Sequence, residues 1–151
     1  MPSEMDLNAL VGSRICHDLI SPLGAFGNGV ELMAMTGAES TPEMVLISES
    51  VDNANARIRY FRIAFGAATE GAVVGNTEVR AVMGDLFKAT NRIAVDWRVN
   101  ADISRAEAKL AFLVILCFES ALPWGGKVLV TRTDGRWNLM GSGERLKIEA
   151  T

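Results

Sequence analysis

The stretch Arg14-Ile15-Cys16-His17-Asp18-Leu19-Ile20-Ser21-Pro22-Leu23 decides how this 151-residue chain is read. It holds His17, the single histidine of the sequence. Apolar residues recur through and around it at Val11, Ile15, Leu19, Pro22, Phe26, Val30 and Met33. Steps of three and four put them on one face of a helix, so the spacing predicts a helix from near Asp6 to near Met35. Each residue turns a helix by about 100°, which places His17 on the face opposite that stripe. Arg14, Ser21, Gly24 and Asn28 fall on the histidine's side. The expectation is an imidazole turned to solvent among polar and small groups, where a partner's surface can approach closely.

Pro22 bears on this directly. A proline inside a helix removes one backbone hydrogen bond and crowds the carbonyl one turn back, at about 3 kcal/mol. The freed carbonyl is that of Asp18, beside His17. Such a site is either a helix end or a kink. The apolar stripe crosses it without a change of phase, which favours a kink. Ser3 or Asp6 can cap the start, and Thr36-Gly37 suits the end. A helix of that length, about 45 Å, needs a bundle to pack in.

Working outward, Ser40-Thr41-Pro42-Glu43 is a second start signal. Ser40 or Thr41 can cap, proline suits the first turn, and Glu43 suits the positive end of the dipole. A second stripe follows at Ile47, Val51, Ala54, Ile58, Phe61 and Phe65, and Gly66 ends it. The short link predicts an antiparallel hairpin. Two helices alone enclose no core. Either two chains pair their hairpins into a four-helix bundle, which predicts a homodimer, or the C-terminal half covers the hairpin.

Gly66 to Gly75 is small and glycine-rich and reads as a linker. It divides the chain into a helical hairpin over residues 1–68 and a second domain over 76–151. In that second part, Thr77 to Lys88 reads as a helix with Val79, Val82, Met83 and Leu86 on one face. Ile93 to Val99 alternates as a strand. Ser104 to Leu122 is a largely apolar helix, expected to be buried. Lys127 to Thr133 and Arg136 to Met140 flank Asp134-Gly135, a hairpin turn signal, and Leu146 to Ala150 reads as a further strand. The fold class is therefore α+β: a helical hairpin plus a small α/β domain.

Composition excludes several functions. Hydrophobic residues make up 49% of the chain, enough for a real core. The formal net charge is -3, against the basic surface that nucleic acid needs. The run from Leu110 to Leu122 is too short for a membrane span and contains Glu119. Met1-Pro2-Ser3-Glu4 lacks the blocks of a secretion signal. Cys16 and Cys117 lie on separate helices and suggest neither a disulfide nor a metal cluster, so a reducing cytoplasm is the expected setting. One histidine and no close cysteine pair speak against zinc.

The run His17-Asp18-Leu19-Ile20-Ser21-Pro22-Leu23 resembles the H-box of sensor histidine kinases: histidine, acid, two residues, a small polar residue, proline. The wider run from Ser13 to Ala25 with Asn28-Gly29-Val30-Glu31-Leu32, and the block from Arg57 to Gly66, are similar to the ChpT-type histidine phosphotransferases of alphaproteobacteria. The resemblance spans most of the chain and is strongest over residues 10–66. It implies a dimeric helical bundle with a C-terminal domain like a degenerate kinase ATPase domain. It implies a phosphorelay carrier that moves phosphoryl groups between receiver-domain aspartates of a hybrid histidine kinase and response regulators. The family's histidine maps onto His17 and its adjacent acid onto Asp18.

The residues themselves favour transfer over kinase chemistry. The helix from Ser104 to Leu122 contains no asparagine to hold Mg²⁺, and Asp134-Gly135-Arg136 lacks the spaced glycines of a nucleotide loop. No cofactor is expected in this chain; Mg²⁺ and a cationic clamp are expected on the receiver. A free imidazole, with a pKa of about 6.5, is about three-quarters neutral at pH 7 and can attack an aspartyl phosphate. The loose transition state makes positioning and charge neutralisation the main work. Asp18 either accepts a proton or orients the ring, or is a solvated carboxylate. Ser21 either lines the docking surface or back-bonds to the helix. Arg14 either meets acidic groups of the receiver or is an ordinary surface arginine. Arg57, Arg59 and Arg62 read as solvated or bridging charges. An autophosphorylating kinase and a non-catalytic dimerisation scaffold are the competing readings; no serine sits in a nucleophile elbow.

Overall fold

The computed structural model describes residues 4–37, 41–88 and 92–148. The chain divides into two units, residues 1–67 and 68–151.

The first unit is the helical hairpin. Helix α1 spans Glu4–Met35 and α2 spans Pro42–Ala64. Helix α1 runs through Pro22 unbroken, so the proline ends nothing. Its start lies before Asp6, which is inside the helix; Ser3 lies outside the described residues. Gly37 closes α1 with φ of 75°, a left-handed conformation that glycine adopts freely. Of the two candidate caps of α2, Ser40 lies outside the described residues. Thr41 is the cap: its hydroxyl accepts the Met44 N–H at 3.2 Å, with Pro42 in the first turn.

The packing of the hairpin differs from a stripe-on-stripe seam. Helix α2 is met by small residues of α1. A Cβ on Gly12 would sit 3.1 Å from the Phe65 carbonyl oxygen, and one on Gly27 would sit 3.7 Å from Val51. Ala9 and Cys16, on the same side, are buried. This small-residue side lies about a quarter turn from the large-residue stripe. Val11, Ile15, Leu19, Phe26 and Met33 consequently stay exposed in the chain, Ile15 at 54% and Phe26 at 66%. In α2 the stripe is better covered: Ile58 is buried, while Ile47 and Phe65 are exposed.

The second unit holds the α/β domain. Strand β1 (Val73–Val74) pairs antiparallel with β3 (Ile103–Ser104). β1 lies inside the segment expected to be a linker; Val74 is fully buried there. Helix α3 spans Asn76–Leu86 and buries the expected face of Val79, Val82, Met83 and Leu86. Its first N–H is accepted by the Asp102 carboxylate at 2.8 Å, a cap supplied from across the fold.

Strands β2 (Ile93–Trp97), β4 (Gly126–Thr133) and β5 (Arg136–Ser142) form a sheet in the order β2-β4-β5. β2 runs parallel to β4, with Val95 opposite Val128. Helix α4 (Arg105–Ala121) makes the crossover that a parallel pair requires. β4 and β5 are antiparallel, with Val130 opposite Leu139, and Asp134 and Gly135 both take positive φ at the turn. Period-two alternation buries Val128 and Val130 together with Ile93 and Trp97. Of the strand expected from Leu146 to Ala150, residues 146–148 are irregular and 149–150 lie outside the described residues. One backbone bond, from Lys147 N–H to the Ala121 carbonyl at 2.9 Å, ties residues 146–148 to the end of α4.

Helix α4 is buried on one side only: Ala108, Ala111, Phe112 and Ile115 face the core, while Leu110 is exposed. Its start is a capping box, Ser104 and Glu107 bonding reciprocally. The same Glu107 carboxylate accepts from Arg132 at 2.7 Å and from the Trp137 indole N–H at 3.2 Å. One side chain thus ties the helix start to both strands of the hairpin. Close approach at the other end needs glycine. A Cβ on Gly141 would fall on the Phe118 ring.

Candidate functional site

The site is built on the third to seventh turns of α1. A continuous helix fixes the direction of each side chain, and His17 points away from the side that meets α2. Its neighbour Cys16 is 6% exposed, whereas the His17 side chain is 83% exposed. The outward histidine thus follows directly from which neighbour the hairpin buries. Burial pushes the Cys16 thiol up from its ordinary pKa, against the opposing pull of the Arg62 charge.

Asp18 links the local charges. One carboxylate oxygen accepts from Arg14 Nε at 2.9 Å; the other lies 3.4 Å from His17 Nδ1. The Arg14 hydrogen bond, followed by that of His17, holds the Asp18 carboxyl below its ordinary pKa. Asp18 is therefore a charged acceptor at neutral pH. The spacing of Arg14 and Asp18, four apart on one helix, is the usual one for an exposed ion pair. Arg14, expected either to meet acidic groups of a receiver or to be an ordinary surface arginine, is ion-paired with Asp18. The i, i+4 signal that could have found this was present in the sequence.

Ser21, Gly24 and Asn28 are all exposed, on the turns that follow His17. Nothing among the described residues lies within 4 Å of a Cβ placed on Gly24. No internal packing therefore calls for glycine at that position, although glycine costs a helix about 1 kcal/mol relative to alanine. Among the described residues no group of three His, Cys, Asp or Glu side chains could hold a metal ion. No helix is long and apolar enough to cross a membrane, among the described residues.

Comparison with known proteins decides the family. Residues 76–151 match the family described as "Histidine phosphotransferase C-terminal domain". The chain is 36% identical over 152 residues to "Protein phosphotransferase ChpT" of Brucella abortus (strain 2308), an overlap of 97% of this chain and 72% of that protein. The chain belongs to the histidine phosphotransferases. A solved bacterial phosphotransferase superposes with a TM-score of 0.62 at 30% identity, covering 99% of this chain and 73% of the other. The mixed architecture of this phosphotransferase, a helical hairpin followed by a small α/β domain, is thus shared along its whole length. The match to the family description falls on the α/β half, whereas the histidine lies on the hairpin.

Proposed function

We propose that His17 is the phosphoryl-accepting residue, and that this chain carries phosphoryl groups between receiver-domain aspartates in two-component signalling. The observation that carries this reading is the outward imidazole, fixed on an unbroken helix and next to an ion-paired carboxylate. The donor is the aspartyl phosphate of a hybrid histidine kinase's receiver domain, and response regulators are the acceptors.

The transfer needs little from this chain beyond position. The imidazole attacks phosphorus in line with the departing aspartate, through a loose transition state. Mg²⁺ held by the receiver would neutralise charge on the phosphoryl oxygens. Asp18 orients the ring. Ser21, Gly24 and Asn28 form the surface on which the receiver sits, and the bare backbone at Gly24 allows it to come close.

The exposed stripe of Val11, Ile15, Leu19, Phe26 and Met33 supports a homodimer, in which a second hairpin covers it as a four-helix bundle. The α/β unit is read as a degenerate ATPase-like domain. Its helix α4 has no asparagine to hold a nucleotide's Mg²⁺, so the phosphate comes from another protein. The formal net charge of -3 fits a protein that does not bind nucleic acid, and the free cysteines Cys16 and Cys117 fit a reducing cytoplasm.

The test is label transfer from a phosphorylated receiver to the wild-type chain and to His17→Ala. Label is expected on the wild type alone. Equal labelling of both proteins would sink the proposal. Labelling of the wild type by ATP alone would establish the competing autokinase reading. An unimpaired reconstituted relay with His17→Ala would establish the scaffold reading.

A further inference from the structure

We propose that Arg14 is a positioning residue for phosphoryl transfer: by holding one oxygen of Asp18 it turns the other toward Nδ1 of His17, and so leaves Nε2 as the attacking nitrogen. The inference rests on the reading of His17 as phosphoacceptor.

Helix geometry explains why a tether is needed. Adjacent residues on a helix point about 100° apart and do not face one another. The 3.4 Å contact between His17 and Asp18 therefore depends on how the carboxylate is turned. Both side chains are exposed, so solvent leaves that torsion free. Arg14 lies one turn earlier, at the spacing where side chains meet. Its Nε–H donates to Asp18 Oδ2 at 2.9 Å, which leaves Oδ1 directed at the ring.

The chemistry then follows from donor and acceptor roles. An ionised carboxylate can only accept a hydrogen bond. Arg14 and His17 hold the Asp18 carboxyl below its ordinary pKa, so it stays ionised. Nδ1 must then carry the proton, and the lone pair lies on Nε2. Nε2 is also the ring nitrogen farther from the backbone. In the transfer step the Nε2–P bond forms and the bond from phosphorus to the receiver's aspartate oxygen breaks. The aspartate leaves as a carboxylate. No proton moves: Nδ1 keeps its own, and the positive charge that develops on the ring lies beside Asp18. Because Arg14 lowers the basicity of Asp18, the carboxylate orients that proton rather than removing it.

His17 is the only histidine, so its ring is unambiguous in a ¹⁵N-labelled full-length chain. The tautomer ratio is read from long-range ¹H–¹⁵N spectra of the free protein, about two pH units above an ordinary imidazole pKa. Arg14→Ala is expected to move the ratio about two- to fivefold away from Nδ1–H, the range expected for an exposed ion pair. Arg14→Lys should restore part of the shift. In transfer from a phosphorylated receiver, Arg14→Ala should slow the saturated rate by a similar factor and leave the half-saturating receiver concentration unchanged. A tautomer ratio indifferent to Arg14→Ala overturns the proposal. So does a raised half-saturating concentration with an unchanged saturated rate, which would make Arg14 a receiver contact. Absence of label on wild-type His17 would instead sink the phosphoacceptor reading, and the proposal with it, whatever the tautomer ratio.

Discussion

Glu107 is the residue through which the α/β unit can be loosened by one change. It caps α4 and holds both strands of the β4–β5 hairpin, so Glu107→Ala removes four contacts at once. Two come from Ser104: its N–H donates at 3.1 Å, the side-chain half of the capping box, and its hydroxyl donates at 3.0 Å. The Ser104 hydroxyl still accepts the backbone N–H of residue 107, so only the carboxylate's half of the box is lost, at about 1 kcal/mol. The other two come from Arg132 and Trp137. A hydrogen bond to a charged group contributes about 1.5–3 kcal/mol when desolvated. The Arg132 and Glu107 side chains keep 29% and 30% exposure, which reduces that to about 1 kcal/mol. The sum is about 2 kcal/mol, or a fall in melting temperature of about 8–16 °C for a unit of this size. Trp97, Trp124 and Trp137 are the three tryptophans, all within residues 68–151, so tryptophan fluorescence during urea unfolding reports this unit alone. Burial pushes the Glu107 carboxyl up, but the bonds from Ser104 and Trp137 and the Arg132 charge outweigh it and leave it below its ordinary value. A lowered folded pKa means stability that is complete above the ordinary value of 4.5 and lost as pH falls through the folded value. The gap between wild type and Glu107→Gln should therefore be constant near neutrality and close in acid. A Glu107→Ala variant within about 0.5 kcal/mol of wild type, the range of ordinary surface substitutions, would refute this reasoning.

Three further outcomes are expected. Ile15→Glu combined with Phe26→Glu puts charge on the exposed stripe of α1 and should convert the proposed dimer to a monomer in analytical ultracentrifugation, with helix content retained. Gly141→Ala sets a methyl group against the Phe118 ring and should destabilise the α/β unit by about 1–3 kcal/mol, visible in the same fluorescence titration. Thr41→Ala leaves the Met44 N–H without its hydroxyl acceptor and should lower the stability of the hairpin by about 1 kcal/mol, read by far-UV circular dichroism.

The helices were legible because their signals are local. Thr41, Pro42 and Glu43 start α2, and Asp134-Gly135 turns the hairpin. Each acts through its own backbone, whatever else is nearby. The outward face of His17 was legible for the same reason: helical period alone sets it opposite the apolar stripe. What failed was whatever depended on distant residues. β1 exists because Val73 and Val74 find Ser104 and Ile103 as partners, in a segment that reads locally as a linker. The Leu146 to Ile148 segment alternates like a strand, yet it is irregular, and its Lys147 N–H bonds the Ala121 carbonyl at the end of α4.

The sequence by itself therefore determined where the helices lie, where the turns fall and which way the histidine points. Only the tertiary structure decided the seam of the hairpin and the tie from Glu107 to Arg132 and Trp137. Local signals are carried by backbone torsions and helical period, which a stretch of chain holds on its own. Seams and bridges depend on which side chains can approach, and that is fixed by small residues such as Gly12 and Gly27, whose role is visible only when Phe65 and Val51 stand opposite them.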